Sequence, residues 1–420
     1  MSADVDDTPR TLLITLTGPD RTGVTATLTA ALAAHAVEIL DVEQVVIRGR
    51  LTLGILVGPA ASLEHGAALV LDDAARTAQE VAPELGMDVD VTLGAAEHDP
   101  RRRGRLLVTA LGHPLLPEAL SGLTRRISEL GGNIDRIVRT AAYPVTAIEL
   151  TVSGADHQLL RTSLTEASPA LGIDVAVQRA GLRGRGTHLV VMDVDSTLIQ
   201  DEVIELIARH AGCEEQVHAI TERAMGGELD FAQSLHQRVA LLAGVDAAAL
   251  DEVRRDVRIT PGARTMVRTL KRLGFRIAVV SGGFSAVVDP LADELGIDHA
   301  RANVLEVVDG TLPGRVVGPV IDRAAKAAAL VEFAALDGIP LDRTIAIGDG
   351  ANDLDMLSVA GLGIAFNAKP VVRAQADTGL TVPFLDPVLY LLGITREEVE
   401  QADLEAGTPT PAPPVRPARG

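Results

Sequence analysis

Residues 188–197, which read HLVVMDVDST, decide the fold of the second half of the chain. Their apolar run is typical of a strand in a parallel sheet, which is covered on both faces. Because side chains alternate along a strand, Asp193 and Asp195 point to one side where the chain leaves the sheet. The segment therefore predicts an α/β domain with two carboxylates at the end of a strand.

The alternation of buried strands and helices continues along residues 187–400, which we predict to form one doubly wound domain. Further strands are predicted at Arg276–Ser281, Thr344–Gly348 and Gly363–Phe366. Crossover helices are predicted at Gly262–Leu273, Ala286–Leu295 and Lys326–Leu336. A helical insertion at about residues 201–259 separates the first two strands, and its length predicts a cap over the C-terminal edge of the sheet.

The first half of the chain contains an internal repeat, with the same order of predicted elements at residues 10–97 and 104–180. That order, βαββαβ, is the split pattern of a ferredoxin-like domain. A charged linker, His98–Gly104, and a glycine-rich hinge, Gly181–Gly186, are predicted to join the domains. The Pro/Ala/Thr-rich tail, residues 407–420, is predicted to be disordered.

The composition is that of a globular protein with two or three domains, since 47% of its 420 residues are hydrophobic and 23% are charged. The formal net charge of −19 argues against nucleic acid and anionic membranes as partners, because both would repel the chain. No run approaches the ~20 apolar residues of a membrane span, and residues 1–10 lack the order of a signal peptide. A single cysteine, Cys213, fits a reducing compartment, so we expect a cytoplasmic protein.

Two more segments place polar groups at the ends of predicted strands. Around Ser281-Gly282-Gly283, backbone N–H groups are expected to form a nest for an anion, and Ser281 adds a hydroxyl. In Gly348-Asp-Gly-Ala-Asn-Asp353, the carboxylates of Asp349 and Asp353 can reach a metal ion. Ordinary polar or acidic turns are the alternative for all three segments. An EF-hand calcium loop is excluded, because neither acidic segment has glycine at the sixth position.

Lysine is scarce in this chain, which makes Lys326 informative. It is predicted to open a helix, where the helix dipole gives a cation no help. A solvated surface lysine is the alternative. The acidic and glycine-rich segments all fall at the C-terminal ends of strands of one predicted sheet, where open α/β sheets bind their ligands. Together with the lysine they predict a site for a metal ion and a phosphoryl group.

The order Asp-x-Asp-x-Thr, Ser-Gly-Gly, Lys and Gly-Asp-Gly-x-Asn-Asp resembles the haloacid dehalogenase superfamily. Within it, the chain is most similar to the phosphoserine phosphatase family, over about residues 190–370. The insertion adds to this resemblance with Glu202 and with Phe231-Ala-Gln-Ser-Leu followed by Arg238. The two N-terminal repeats resemble ACT domains, which bind amino acids in similar proteins. The second repeat lacks the Asp20-Arg21 pair of the first.

The resemblance implies a magnesium-dependent phosphatase that hydrolyses phosphoserine to serine and phosphate, the last step of serine biosynthesis. Asp193 is then expected to attack phosphorus and form a phospho-aspartate, and Asp195 to act as general acid and base. Mg²⁺ is expected on Asp193, the Asp195 carbonyl and Asp349, with Asp353 orienting these ligands from behind. The expected contacts to the phosphate and the rest of the substrate include Ser281, the Gly282 N–H, Lys326 and Asn352.

The resemblance also implies how the amino-acid part of the substrate binds. Glu202 is expected to pair with the ammonium group and Arg238 with the carboxylate, in a fork geometry that lysine cannot copy. The alternative is that both are solvated charges on cap helices. Met225 and Phe231 are expected to line the pocket, and Gly226-Gly227 to let the cap open and shut.

A regulatory site is expected in the first repeat, at the turn Gly18-Pro-Asp-Arg-Thr-Gly23. Its glycines are predicted to expose backbone N–H groups at a helix N-terminus, with Asp20 as the cap. The carboxylate of serine could bind there, so Gly18 and Asp20 are the expected effector site; an ordinary capped turn is the alternative. Exposed sheet edges lead us to expect a homodimer.

Other functions are compatible with the same residues. The chain could transfer the phosphoryl group to another alcohol, or hydrolyse phosphorylated proteins. A third alternative is an inactive amino-acid sensor, but such a protein should have lost a nucleophile or a metal ligand. Asp193, Asp195, Lys326 and Asp349 are all present, which argues against it.

Overall fold

The computed structural model describes residues 10–60, 66–95, 104–181, 186–225, 228–408 and residue 410. Most of the predicted linker, hinge and tail lies outside these residues, as does the Gly226-Gly227 pair. The chain divides into two compact units, residues 1–100 and 101–420. Among the described helices, none is both long and apolar enough to cross a bilayer.

The first unit is an antiparallel four-stranded sheet with two helices. Its elements are β1 (Arg10–Pro19), α1 (Val24–Leu32), β2 (Val37–Ile47), β3 (Arg50–Pro59), α2 (Ala67–Glu84) and β4 (Asp88–Ala95). The strand order is β2-β3-β1-β4. Leu12, Ile14 and Leu16 alternate along β1 and pack in one core with residues of both helices. The predicted ferredoxin-like fold is confirmed.

The second repeat has the same fold and belongs to the second unit. Its elements are β5 (Leu106–Gly112), α3 (Pro117–Glu129), β6 (Asn133–Ala141), β7 (Thr146–Ser153), α4 (His157–Leu171) and β8 (Asp174–Arg179). The strand order is β6-β7-β5-β8, which matches the order in the first repeat.

The rest of the second unit is built on a seven-stranded sheet. Its strands are β9 (Leu189–Met192), β10 (Arg276–Phe284), β11 (His299–Leu305), β12 (Val316–Val317), β13 (Thr344–Gly348), β14 (Leu362–Phe366) and β15 (Thr378–Leu380). Its helices are α5 (Val203–Ala211), α6 (Glu214–Met225), α7 (Phe231–Ala240), α8 (Ala249–Asp256), α9 (Ala263–Arg272), α10 (Ser285–Leu295), α11 (Arg323–Leu336), α12 (Leu354–Val359), α13 (Pro370–Arg373), α14 (Pro387–Leu391) and α15 (Arg396–Glu405).

The strand order of this sheet is β12-β11-β10-β9-β13-β14-β15. All neighbours are parallel except β11 and β12. Both faces are covered, since Val190 and Met192 of β9 pack in one core and Leu189 and Val191 pack in another. The predicted doubly wound parallel sheet is confirmed, and β9 is its central strand.

Helices α5 to α8 form the insertion between β9 and α9, and they lie beside the carboxyl edge of the sheet. Two linkers connect this helical cap to the sheet. Ile199 in the first linker forms a β-bridge with Ile259 in the second. The Asp201 carboxylate accepts from the Arg258 guanidinium, with a shortest contact of 2.6 Å. These contacts hold the two linkers side by side at the point where the cap begins and ends.

The second repeat packs on this domain through the face of its sheet that its own helices leave uncovered. One buried cluster combines the core of the domain with five residues of that face: Leu111, Ala141, Val145, Ala147 and Ala176. At the edge, the Thr381 N–H and hydroxyl donate to Asp174 at 2.8 and 3.0 Å. The Gln178 amide donates to the Leu391 carbonyl at 2.6 Å. The second repeat and the α/β domain therefore share one core.

Candidate active site

The candidate site lies at the carboxyl edge of the seven-stranded sheet, where the ends of β9, β10 and β13 meet beneath the cap. A cavity of about 150 Å³ opens there. Eight residues singled out from the sequence line it: Asp193, Asp195, Glu202, Phe231, Arg238, Gly282, Asp349 and Asn352. Ile204, Leu235, Gly283 and Gly350 complete the lining.

Lys326 is buried beneath this cavity and contacts two carboxylates. Its Nζ lies 2.7 Å from Asp193 Oδ2 and 2.7 Å from Asp353 Oδ1. Burial alone would lower the pKa of Lys326, but the two carboxylates outweigh it and raise the pKa, so the amine stays charged. The helix that carries Lys326 begins at Arg323, since the Asp322 side chain caps it by accepting from the Ala325 N–H. The predicted helix start at Lys326 is therefore wrong.

Three carboxylates beside this lysine form a candidate metal centre. Oxygen atoms of Asp193, Asp349 and Asp353 all lie within 4.8 Å of one another. Burial and the neighbouring Asp353 raise the pKa of Asp193 well above its ordinary value, although Lys326 opposes them. The same two causes raise the pKa of Asp349 to about 6. A divalent cation would relieve this repulsion, and an all-oxygen set fits a hard ion such as Mg²⁺.

Asp353 lies in this cluster together with two of the expected metal ligands. Its expected role, to orient those ligands from behind, stays a prediction. Asp353 is fixed by Lys326 and by the Gly350 N–H, which donates to Asp353 Oδ2 at 3.0 Å. Thr197, which had no assigned role, donates to Asp349 Oδ1 at 3.3 Å and so orients a second member.

The Ser281-Gly282-Gly283 turn contacts Asp195, the second carboxylate of the first motif. The Ser281 hydroxyl donates to Asp195 Oδ2 at 3.1 Å and accepts from the Gly283 N–H at 2.7 Å. Asp195 also accepts from the Val203 N–H at 2.7 Å, and burial raises its pKa. A side chain at Gly283 would collide with this arrangement, because its Cβ would lie 2.9 Å from Asp195 Oδ2. Glycine is required here by the close approach of the carboxylate.

Asn303 organises the same turn, and the sequence analysis missed it. This residue of β11 is 1% exposed and uses both ends of its amide. Its Nδ2 donates to the Gly282 carbonyl at 2.8 Å, and its Oδ1 accepts from the Ile321 N–H at 2.8 Å. It thus ties the glycine-rich turn to the loop before α11, which carries Lys326. Its strand also contains His299 and Arg301, so the sequence pattern did not single Asn303 out.

Two charged residues of the cap, Glu202 and Arg238, line the cavity. Glu202 is partly accessible to solvent in the cavity. Desolvation by the surrounding protein, and then the charge of Asp195, raise its pKa to about 7. Arg238 is held by a bond from its Nε to the Ser234 carbonyl at 3.3 Å, and burial lowers its pKa. Phe231 packs close to Gly282. The side chain of Met225, also expected in the pocket, lies outside the described residues.

In the first repeat, the structure corrects the expected helix cap. Asp20 is exposed and does not cap α1, whose N-cap residue is Gly23 with φ 94° and no side-chain cap. The Asp20 N–H instead donates to the Gly49 carbonyl at 2.8 Å. Gly18 is buried in β1, where an added Cβ would lie 2.6 Å from the Met87 sulfur. Tight packing against Met87 is thus one reason for a glycine at position 18.

Comparison with known proteins assigns each part of the chain. The haloacid dehalogenase-like hydrolase family matches residues 190–358, and ACT-domain families match residues 10–92 and 106–178. The chain is 58% identical to the phosphoserine phosphatase of Streptomyces coelicolor, over 96% of this chain and 97% of that protein. It is 51% identical to a phosphoserine phosphatase of Mycobacterium tuberculosis, over 93% and 95%. The crystal structure of a probable phosphoserine phosphatase from Vibrio cholerae, in unliganded form, aligns with a TM-score of 0.54 at 34% identity, covering 72% of this chain and 90% of that one.

If the carboxylate cluster holds Mg²⁺, the ion should stabilise the folded protein. A hundredfold excess of Mg²⁺ over its Kd would add about 2.7 kcal/mol to the free energy of unfolding. The rise in Tm with Mg²⁺ should be lost in Asp349→Asn. It should persist in Asp355→Asn, which removes a partly exposed carboxylate that pairs with Arg323 nearby. Equal Mg²⁺-dependent shifts in both variants would contradict a metal centre at Asp349.

Proposed function

We propose that this chain hydrolyses phosphoserine to serine and inorganic phosphate, because it belongs to the phosphoserine phosphatase family of haloacid dehalogenase-like hydrolases. The observation that carries the proposal is the 2.7 Å contact between Lys326 Nζ and Asp193 Oδ2 beside the carboxylate cluster. A carboxylate in this place is a nucleophile next to a cation that can neutralise a phosphoryl oxygen. A chain with a single cysteine suits reducing conditions, so the proposed location is the cytoplasm.

The reaction is proposed to proceed in two steps through Asp193. Its carboxylate oxygen attacks phosphorus, and the bond from phosphorus to the seryl oxygen breaks as Asp195 gives that oxygen a proton. Asp195 then takes a proton from the water that releases phosphate and regenerates Asp193. Lys326 and Ser281 hold the phosphoryl oxygens. Bound Mg²⁺, held by the aspartate cluster, would supply further positive charge to those oxygens.

The cap residues are proposed to choose the substrate. Glu202 and Arg238 both line the cavity, so an ammonium and a carboxylate group can each meet an opposite charge. The cavity volume of about 150 Å³ suits a small molecule and favours free phosphoserine over a phosphorylated protein. Arg238 offers the carboxylate two parallel hydrogen bonds, which gives orientation as well as charge.

The covalent mechanism can be tested at the nucleophile. Asp193→Asn should lower kcat by at least about 10³-fold, since the amide cannot attack phosphorus although it is nearly isosteric. Wild-type protein quenched in acid after mixing with ³²P-labelled phosphoserine should carry label on Asp193. The Asp355→Asn variant serves as the control for folding and should retain activity. An unlabelled wild type, together with an active Asp193→Asn variant, would rule out the phospho-aspartate.

The first repeat is proposed to bind serine and reduce activity. It belongs to the part of the chain that matches an ACT family, and the N-terminus of α1 has no side-chain cap. Free backbone N–H groups at a helix N-terminus attract a carboxylate. Inhibition would require that serine bind more tightly to a less active arrangement of the protein.

Removal of residues 1–100 tests this regulation, because residues 101–420 form a compact unit by themselves. In the full-length chain, serine inhibition should contain a component that is not competitive with phosphoserine. The truncated chain should keep only weak competition by the product at the active site. Gly18→Val is a poor substitute for this truncation, because its side chain would collide with Met87. Identical, purely competitive inhibition of both chains would exclude serine sensing by the first repeat.

A homodimer is also proposed, and strand β2 supports it. β2 lies at an edge of the first sheet and is exposed along nearly its whole length. Its exposed apolar side chains are Ile39, Leu40, Val42, Val45, Val46 and Ile47. A long, exposed, apolar edge strand is suited to pairing with another strand.

Charged substitutions on β2 test the dimer. Sedimentation should show a dimer for the wild type and a shift to monomer for the Val42→Lys/Val46→Lys variant, since like charges would face each other at the edge. The control is Leu336→Lys on α11, where the leucine is 66% exposed. The proposal fails if the wild type is monomeric, or if the β2 variant and the control sediment alike as dimers.

A further inference from the structure

Ser196 lies between the end of β9 and the cap, and the chemistry proposed so far does not use it. Its hydroxyl donates to Glu202 Oε1 at 2.7 Å. Its N–H donates to the Asp201 carbonyl at 3.3 Å. Ser196 therefore closes the loop that begins after Asp195 and ends at Glu202. It follows Asp195 directly in the chain and binds the carboxylate of Glu202 through its hydroxyl.

The backbone of Ser196 has an unfavourable conformation. Its φ of 54° lies in the left-handed region, which residues other than glycine seldom adopt. Such strain persists where the surrounding structure enforces it, and it concentrates at functional sites. Here the conformation accompanies the contact between the Ser196 hydroxyl and Glu202.

Glu202 has no orienting contact from its own helix. It is the N-cap residue of α5, but its side chain makes no capping hydrogen bond. The first N–H of that helix, from Val203, is taken by Asp195 Oδ1 instead. The Glu202 carboxylate thus remains available to the cavity, and the hydroxyl of Ser196 is a donor that can fix its direction.

The charges around Glu202 make such a donor useful. Desolvation by the surrounding protein, and then the charges of Asp195, Asp349 and Glu205, raise the pKa of Glu202 to about 7, whereas the Ser196 hydrogen bond lowers it. A donor to the ionised form favours that form. Without it, the like charges nearby would favour a protonated or displaced carboxyl group, and either would pair poorly with an ammonium ion.

We propose that Ser196 is a positioning residue for substrate choice, which holds the Glu202 carboxylate toward the ammonium group of phosphoserine. The inference rests on the proposed function, because Glu202 meets an ammonium group only if the substrate is an amino acid. The residue then discriminates between phosphoserine and phosphate esters that lack this group, without contacting either substrate itself.

The first test compares two substrates in two variants. In Ser196→Ala, KM for phosphoserine should rise about tenfold, as expected for a lost hydrogen bond to a charged group, with a much smaller change in kcat. The loss in kcat/KM for p-nitrophenyl phosphate should be several times smaller. Ser196→Gly also lacks the hydroxyl but adopts a positive φ freely, so it should show the same rise in KM. A glycine variant with wild-type KM, or equal losses on both substrates, would overturn the inference.

A double-mutant cycle with Glu202→Gln shows whether Ser196 acts through Glu202. In the Glu202→Gln background, Ser196→Ala should raise KM for phosphoserine less than about twofold, because the carboxylate that it positions is gone. Additive effects would mean that Ser196 acts elsewhere and would refute the proposal. A wild type that hydrolyses p-nitrophenyl phosphate but not phosphoserine would instead refute the proposed function, and the inference with it.

Discussion

One buried cation, the amine of Lys326, holds the active site together. It lies 2.7 Å from both Asp193, which directly follows β9, and Asp353, which ends the turn between β13 and α12. Two carboxylates facing each other in a site with little water would repel, and removing the partner of a buried charge is typically costly. The lysine therefore allows acidic strand ends to converge where the sheet presents them to a ligand.

The site also needs a local positive potential, because the protein as a whole is strongly negative. The chain carries a formal net charge of −19, and its proposed substrate is an anion. The field is reversed locally by Lys326 at the floor and by Arg238 in the cap, and a cation bound to the aspartate cluster would add to both. Because each of these is buried or enclosed, bulk water and salt screen them less than surface charges.

The sequence predicted the parallel sheet, both repeats and the residues that meet at the cavity, because each depends on a local pattern. Strand ends of one parallel sheet must lie along one edge, so Asp193, Ser281 and Asp349 could be placed together without knowing a single contact. The roles of Asn303 and Ser196 could not be predicted. Asn303 bonds to two segments that are distant in sequence, and the contact between Ser196 and Glu202 accompanies a left-handed backbone conformation that the sequence does not indicate. The cap expected from Asp20 failed because α1 begins only after Gly23, three residues further along the chain.

The shared core between the second repeat and the α/β domain has consequences for how mutations are read. Ala141, Ala147 and Ala176 are small residues at that boundary, and a larger side chain there would have to displace the core it packs against. In a screen for catalytic activity, such substitutions would appear as temperature-sensitive enzymes, although they lie in a domain that matches an ACT family. A mutation in the second repeat is therefore no evidence of lost regulation until the thermal stability of the variant has been measured.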